Sequence, residues 1–440
     1  MSRAMKNSGI PWIGEIPSHW RIIPFKEAVL TITTGLNPRD NFVLSKDAPY
    51  YYITIRNFKD GKLYLDENCD RINENAWEII QKRSCLQKGD ILFASISKDA
   101  QCYILQDFPY SWNINESVFA LRGNNSLVIN EFLYYSLVNP EYYKALRIDA
   151  TGTTFQSIKQ NKLKESVFVL PPISEQQSIV DFLNIKCGEI DEMISLQERI
   201  VDELKAYKQS IISEAVSRGL NPNVRMKDSG IEWVKHIPSH WKLITPKALF
   251  SQRKEKAEEG ERQLTASQQY GVIYQDEYTE ITGSKVVSVM KDFDILKHVE
   301  RGDFVISMRS FQGGLEYSTK TGSISSAYVM LIPNLKYVFP RYYRWLFKSV
   351  GYINALQSTS NMVRDGQAMR YSNFAQVPLY TVPLREQEDI ADYLDDKCGE
   401  LEALISIKQS KIEALKEYKK SIIYEYITGK KETPCVSIEE

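Results

Sequence analysis

Ser8–Trp20 reads SGIPWIGEIPSHW and Ser229–Trp241 reads SGIEWVKHIPSHW; nine of the thirteen positions are identical. Met5-Lys6 and Met226-Lys227 extend the match backwards. A longer match aligns Pro172–Glu214 with Pro383–Glu425 without a gap, 20 of 43 residues being identical. In it Glu175-Gln176 answers to Glu386-Gln387, and Lys186-Cys187-Gly188-Glu189 to Lys397-Cys398-Gly399-Glu400. The offset is 221 residues in the first match (8 to 229) and 211 in the second (172 to 383), so the stretches between them differ in length. Those stretches share little sequence. The order is constant, variable, constant, variable, constant. Self-similarity of this kind marks a repeated architecture. A duplicated scaffold with diverged inserts implies one frame presenting two specificities. Drift in loops alone would not spare the helices and the Ile-Pro-Ser-His-Trp segment so evenly.

The constant segment after Pro171-Pro172 is expected to be a long helix, since proline stands before a helix and not within it. Ser174 with Gln177 three residues on has the form of a capping box. Leu183, Ile190, Leu204 and Ile211 recur at seven-residue spacing. A second row runs Met193, Ile200, Tyr207, with Ile194 and Val201 beside it. Such alternation predicts a coiled-coil seam. Gly219 and Pro222 end it. In the copy, Leu394, Leu401, Leu415 and Ile422 repeat the first row, and Leu404 and Tyr418 part of the second. Gln197 and Lys408 put a polar residue at the same seam position in both. The second copy begins Leu384-Arg385-Glu386 and lacks the capping Ser. Helices of about 40–45 residues are about 60–70 Å long. Two of them in one chain most simply pack as an antiparallel pair; pairing with other subunits is the alternative. Ile179, Phe182 and Val216 give the opposite face apolar residues as well.

The chain has 440 residues, an apolar fraction of 43% and a net charge of −1. That length suggests two to four domains, and the composition is that of a foldable protein. Any nucleic-acid surface must be local, because the chain as a whole is no polycation. The six cysteines, Cys69, Cys85, Cys102, Cys187, Cys398 and Cys435, form no Cys-x-x-Cys pair. No zinc site is expected, and free thiols suit a reducing cytoplasm. No signal peptide or membrane span is expected either.

The variable segments read as strand-rich. Tyr50–Ile55 is a β-prone run that leads into Arg56-Asn57 and a turn at Asp60-Gly61. Lys88-Gly89-Asp90 precedes the apolar Ile91-Leu92-Phe93, and Arg301-Gly302-Asp303 precedes Phe304-Val305-Ile306. A turn feeding a buried strand explains Gly-Asp locally. After these strands come Ser95, Ser97 and Lys98 in one domain, and Ser307, Arg309, Ser310 and Gln312 in the other. Later loops hold Thr153, Thr154, Gln156 and Lys159, then Arg364, Gln367, Arg370 and Tyr371. Side chains of these kinds read base edges and hold phosphates.

Catalytic motifs are missing. Gly61-Lys62 and Gly429-Lys430 lack the rest of a phosphate-binding loop. Asn139-Pro140-Glu141-Tyr142 has a Glu where an amino-methyltransferase motif has its second proline, and it reads as a helix start. His19 and His240 lie in the two Pro-Ser-His-Trp copies and read as packed anchors. No nucleophilic triad or metal constellation assembles from the four histidines.

Taken in order, Trp12…Ile16-Pro17-Ser18-His19-Trp20 with its copy at Trp233…Trp241, and Pro171-Pro172…Glu175-Gln176…Ile179 with Pro383…Glu386-Gln387…Ile390, resemble the specificity subunit of type I restriction–modification enzymes. Lys88-Gly89-Asp90 and Thr151-Gly152-Thr153-Thr154 followed by Gln156 and Ile158 are also similar to that family's recognition domains. The second domain departs from the Gly-Thr pattern with Asp365-Gly366-Gln367…Arg370. The resemblance implies an α+β fold: two mixed α/β target-recognition domains separated by two long antiparallel coiled-coil helices in a pseudo-twofold internal repeat. The domains expected are 1–172 and 221–382 for recognition, 173–220 and 383–430 for the helices, and 431–440 for a flexible tail. Each recognition domain would read one half of a bipartite double-stranded DNA target, with the helices as the ruler between half-sites. Leu183, Ile190, Leu204, Ile211, Leu394, Leu401, Leu415 and Ile422 would serve helix and subunit packing. Two modification (methyltransferase) subunits would dock, with restriction subunits beyond them. This chain would be non-catalytic and hold no cofactor, S-adenosylmethionine, ATP and Mg being expected only in the partners. The rival reading is a coiled-coil protein-interaction adaptor with no DNA role; steep weakening of DNA binding by salt would argue against it.

Overall fold

The computed structural model describes residues 3–39, 41–59, 61–106, 111–147, 157–284, 295–307, 310–359 and 369–434. The two periodic segments are single helices, Ile173–Arg218 and Leu384–Ile427. The first begins directly after Pro171-Pro172, so Ser174 lies inside the first turn and not at the cap where the capping-box reading put it.

The chain forms two compact units, and neither is one continuous segment. One is Met1–Gln197 with Lys411–Glu440; the other is Glu198–Ser410. Each therefore holds one variable segment, the first half of the helix that follows it, and the second half of the other helix.

Inside each unit the two helix halves pack antiparallel. In the first unit the Phe182 and Tyr426 rings lie 4.3 Å apart, and Lys419 Nζ lies 2.7 Å from Asp191. The partner index falls as the other rises, which fixes the direction. In the second unit Lys208 pairs with Glu402. Adding 211 to Asp191 gives Glu402, and subtracting it from Lys419 gives Lys208, so one ion pair occurs twice in exchanged order. Both carboxylates are more than half exposed, so the pairs set register more than stability.

Leu183, Ile190, Ile211, Leu394 and Ile422 are buried, and Leu204, Leu401 and Leu415 half-buried. The second row is displaced by one residue from the sequence reading. Cys187, Ile194, Val201 and Ala215 turn inward, whereas Met193, Tyr207, Leu404 and Tyr418 are exposed. The reason lies at the ends of the rows. The row through Met193 and Tyr207 also contains Lys186 and Glu214, which would have to be buried; the row through Val201 contains Lys208 alone, and its ammonium reaches out to Glu402.

Each unit is built on a four-stranded antiparallel sheet of one topology. The strand order is Cys102–Ile104, Ile91–Ala94, Val118–Gly123, Val29–Thr34 in the first, and Glu316–Tyr317, Phe304–Ile306, Val329–Pro333, Phe250–Arg253 in the second. Ile91–Ala94 is buried at every position because both faces of the sheet are covered. Ile91 and Phe93 face the core shared with the long helices, while Leu92 and Ala94 face an outer core with Ile53, Leu105 and Ile114. Phe304 and Ile306 against Val305 repeat the division.

The constant motifs are the joints of this frame. Trp20 is 1% exposed, and its Nε1 donates to Glu175 Oε2 at 2.8 Å while His19 holds the other oxygen. Trp241 and His240 hold Glu386 likewise, but both on its Oε2, at 3.0 and 2.9 Å. The neighbouring Gln176 is fully buried; its Oε1 accepts from Ile129 N at 2.9 Å and its Nε2 donates to the carbonyls of Leu127 and Pro171. Gln387 does the same for Phe339, Tyr337 and Val382. Both helices stop at a glycine of positive φ, Gly219 at 73° and Gly429 at 69°. A Cβ on Gly429 would also meet Pro17 Cδ at 2.5 Å.

Gln387→Leu keeps the volume but strips three backbone groups, one buried and two partly buried, of their partner. Urea unfolding should show a loss of about 2–4 kcal/mol, since an unsatisfied buried polar group costs about 1–3 kcal/mol. An unchanged midpoint would mean that this joint contributes nothing.

Candidate nucleic-acid interface

The Gly-Asp turns come first, because they set the strands from which the expected reading loops leave. Asp90 is 2% exposed; it accepts from Gln87 N at 2.8 Å and takes Arg122 Nε and Nη2 at 2.8 and 2.9 Å. Asp303 accepts from Glu300 N at 3.0 Å and takes Arg253 Nε and Nη2 at 2.6 and 3.0 Å. The carboxylate hydrogen bond holds each guanidinium above its ordinary range. Arg122 stands in Val118–Gly123 and Arg253 in Phe250–Arg253, so the two domains recruit the arginine from different strands. That is why no shared sequence signal announced it.

In the first domain the loop after Ile91–Ala94 is pinned from three sides. Ile158 N donates to Ser95 O at 2.9 Å, Tyr143 Oη to Ser97 O at 3.0 Å, and Arg147 Nη1 to Lys98 O at 3.1 Å. Ser97, Lys98 and Lys159 are thereby brought to one edge, with Lys98 and Lys159 exposed. Arg147, at the end of the helix Pro140–Arg147, joins them without having been singled out in the sequence. That helix starts at Pro140, so the Asn-Pro-Glu-Tyr segment is a helix start. Arg56 is exposed on a separate turn, Ile55–Asn57, ahead of the hairpin Phe58–Leu63. Asn57 is buried, accepting from Thr54 N at 2.8 Å and donating to Tyr64 O at 3.2 Å.

In the second domain Gln312 and Arg370 are exposed. Ser310 is fully buried, its Oγ accepting from Ser307 N at 2.8 Å. Tyr371 Oη donates to Phe250 O at 2.8 Å, and burial pushes its phenol up. Asn57, Ser310 and Tyr371 thus have their polar groups committed to the framework. Thr153, Thr154, Gln156, Arg309, Arg364 and Gln367 lie outside the described residues. The described side chains that reach solvent with a free end are mainly cations and amides. They can hold phosphates and meet base edges. Among the described residues no group of His, Cys, Asp or Glu could hold a metal ion. Among them, too, no helix is long and apolar enough to cross a membrane.

One titrating cluster belongs to this domain. His298 Nδ1 lies 2.7 Å from Glu261 Oε1 and its Nε2 3.2 Å from Glu300 Oε2. Desolvation lowers the imidazole pKa, but the hydrogen bonds and charges of Glu300 and Glu261 outweigh it, and the net direction is upward from 6.5. Glu300 is held below its ordinary value by its hydrogen bonds with Thr321 and His298.

Comparison with known proteins gives a consistent answer. Residues 20–212 match the family described as type I restriction modification DNA specificity domain. The chain is 25% identical over 436 residues to the MjaX type I restriction enzyme specificity subunit of Methanocaldococcus jannaschii, covering 95% of each. It is 20% identical over 298 residues to the EcoBI specificity subunit of Escherichia coli, covering 63% of this chain and 60% of that one. A chain solved in a study of complex assembly and conformational transition of the type I R-M system superposes with a TM-score of 0.65. It is 16% identical, and the alignment covers 94% of this chain and 98% of that one. This last likeness establishes the fold.

The His298 cluster makes a prediction with a definite sign. A raised folded pKa contributes stability that is complete below 6.5 and is lost as pH rises through the elevated value. His298→Gln should therefore lower the unfolding midpoint more at about pH 6 than at about pH 9. Equal losses at both would show that the imidazolium contributes nothing.

Proposed function

We propose, from the premise that the chain is a DNA-sequence-recognising specificity subunit of the type I restriction–modification family, that its two units read the two halves of a bipartite, asymmetric target. Specificity subunits are non-catalytic, so the chemistry belongs to other chains. The observation that carries the bipartite reading is the exchanged ion pair Asp191–Lys419 and Lys208–Glu402. It makes the frame of the units equivalent, while the variable segments on that frame differ in length and sequence. Equivalent frames present equivalent faces to a duplex, and different inserts read different bases.

The same duplication favours two docked modification subunits. The first unit exposes Met193, Leu196 and Tyr418; the second exposes Leu404, Ile407 and Tyr207, which occupy the matching positions. Ile407 is 63% exposed and Tyr207 58%, unusual for such side chains on a helix already packed on another. Two copies of one apolar patch suit two copies of one partner. S-adenosylmethionine, ATP and Mg would be held by the modification and restriction subunits. A cytoplasmic address follows from that assembly. Arg56, Lys98, Lys159, Gln312 and Arg370, together with Thr153, Thr154, Gln156, Arg309, Arg364 and Gln367, would face the DNA.

The test co-expresses the chain with its modification subunit and maps adenine methylation on plasmid DNA. The expected result is one bipartite motif, with one half lost when the segment Arg364–Arg370 is replaced. Methylation at a single undivided motif would overturn the bipartite reading. For docking, Leu196→Glu and Ile407→Glu should each leave one modification subunit bound by native mass spectrometry, where the parent chain binds two. Two subunits bound to the double variant would remove these patches from the interface.

A further inference from the structure

In the second variable segment one hairpin is buried along its strands but exposed at its tip. The hairpin Leu264–Ser267 and Gly271–Tyr274 carries Gln268, Gln269 and Tyr270 at its tip, all three exposed. The side chain of Gln268 lies over Gly313 of the short helix Ser310–Gly313, in space that a larger residue there would contest. A Cβ on Gly313 would lie 2.5 Å from Gln268 Cδ. This close approach gathers Gln268, Gln269 and Gln312 around a cleft of about 740 Å³, whose far wall is the helix Val350–Ser358 with Asn354.

The acids in this cleft are neutralised: Glu316 pairs with Lys348 and Glu402 with Lys208. The carboxamides of Gln269, Gln312 and Asn354 make no hydrogen bond among the described residues. An open cleft whose described acids are paired, and into which the exposed amides of Gln269 and Gln312 reach, suits a ligand that is read by paired donors and acceptors. A carboxamide offers one donor and one acceptor side by side, the arrangement that matches N7 and N6 of adenine in the major groove. In the first domain the corresponding hairpin, Phe58–Leu63, closes onto the body of its domain. There Gly61 N donates to Gln101 Oε1 at 3.3 Å, and a Cβ on Gly61 would meet the Tyr134 hydroxyl at 3.5 Å. The cleft therefore belongs to what differs between the domains, which is where specificity must lie.

We infer that the tip Gln268–Tyr270 and the helix Ser310–Gly313 form the base-reading element of the second domain, and that Gln269 and Gln312 select adenine in its half-site. Gln268 is the positioning residue that seats the tip on Gly313. The inference rests on the reading of this domain as one half of a bipartite DNA recogniser, and it adds which base and which side chains.

The test uses the complex with its modification subunits, random-duplex selection and methylation mapping. Gln269→Ala and Gln312→Ala should each relax the preference for adenine at one position of the second half-site by roughly 5- to 150-fold, the first half-site being unchanged. Gln269→Arg should move the preference at its position towards guanine, whose O6 and N7 accept a guanidinium. Both glutamines are exposed, and an unchanged melting temperature would separate lost reading from lost folding. A wild-type motif in all three variants would overturn the inference and leave the bipartite reading standing. No split motif from the parent complex would overturn both.

Discussion

A carboxylate at the start of each long helix holds the structure together. Glu175 and Glu386 each accept from a buried indole and grip the preceding histidine, tying the first turn of a helix to a segment about 155 and 145 residues earlier. An indole N–H buried in an apolar core needs a partner, and a carboxylate in the first turn of a helix also meets a favourable dipole. In the first unit Arg3 adds a second tie, donating to Gly429 O at 2.7 Å and lying over the Trp20 ring. The adjacent Gln176 and Gln387 fix the same turn to the loop below the sheet. Between them the two side chains leave the helix no freedom to slide or rotate on its domain.

That fixation matters because neither core is complete without the far end of the other helix. Ile422, Ile423, Tyr426 and Ile427 belong to the first core, and Ile211, Ile212, Ala215 and Val216 to the second. Tyr424 Oη donates to Trp12 O at 2.9 Å, so the last turns of the chain are built into its first residues. The sheets then separate constancy from variation. Their helix-facing sides serve the shared frame. Their outer sides pack on smaller, independent cores around Leu92 and Val305, which can change without disturbing the helices. Two variable segments can thus diverge on one frame.

The long helices, the duplication and the buried strands were legible because each rests on periodicity, and periodicity follows from backbone geometry alone. The inner seam row was not. Met193 and Ile194 are both apolar, and the choice between them depended on where Lys186, Glu214 and Lys208 could place their charges. Of the expected DNA-facing residues, Lys98, Lys159, Gln312 and Arg370 are exposed, whereas Asn57, Ser310 and Tyr371 have polar atoms bound by their own framework. Residue type does not distinguish these outcomes, because the same amide or hydroxyl serves a turn as well as a base.

The sequence by itself determined the repeat, the helix lengths and the register of the seam's first row, all of which are properties of spacing along one chain. Only the tertiary structure decided that each helix is divided between two units. Only there does it emerge that Glu175 and Gln176 are joints, that Asp90 and Asp303 find arginines on different strands, and that the tip Gln268–Tyr270 meets Gly313. Those facts depend on groups dozens to hundreds of residues apart coming within about 3 Å, a distance that hydrogen bonding and close packing enforce in space and that sequence separation does not encode.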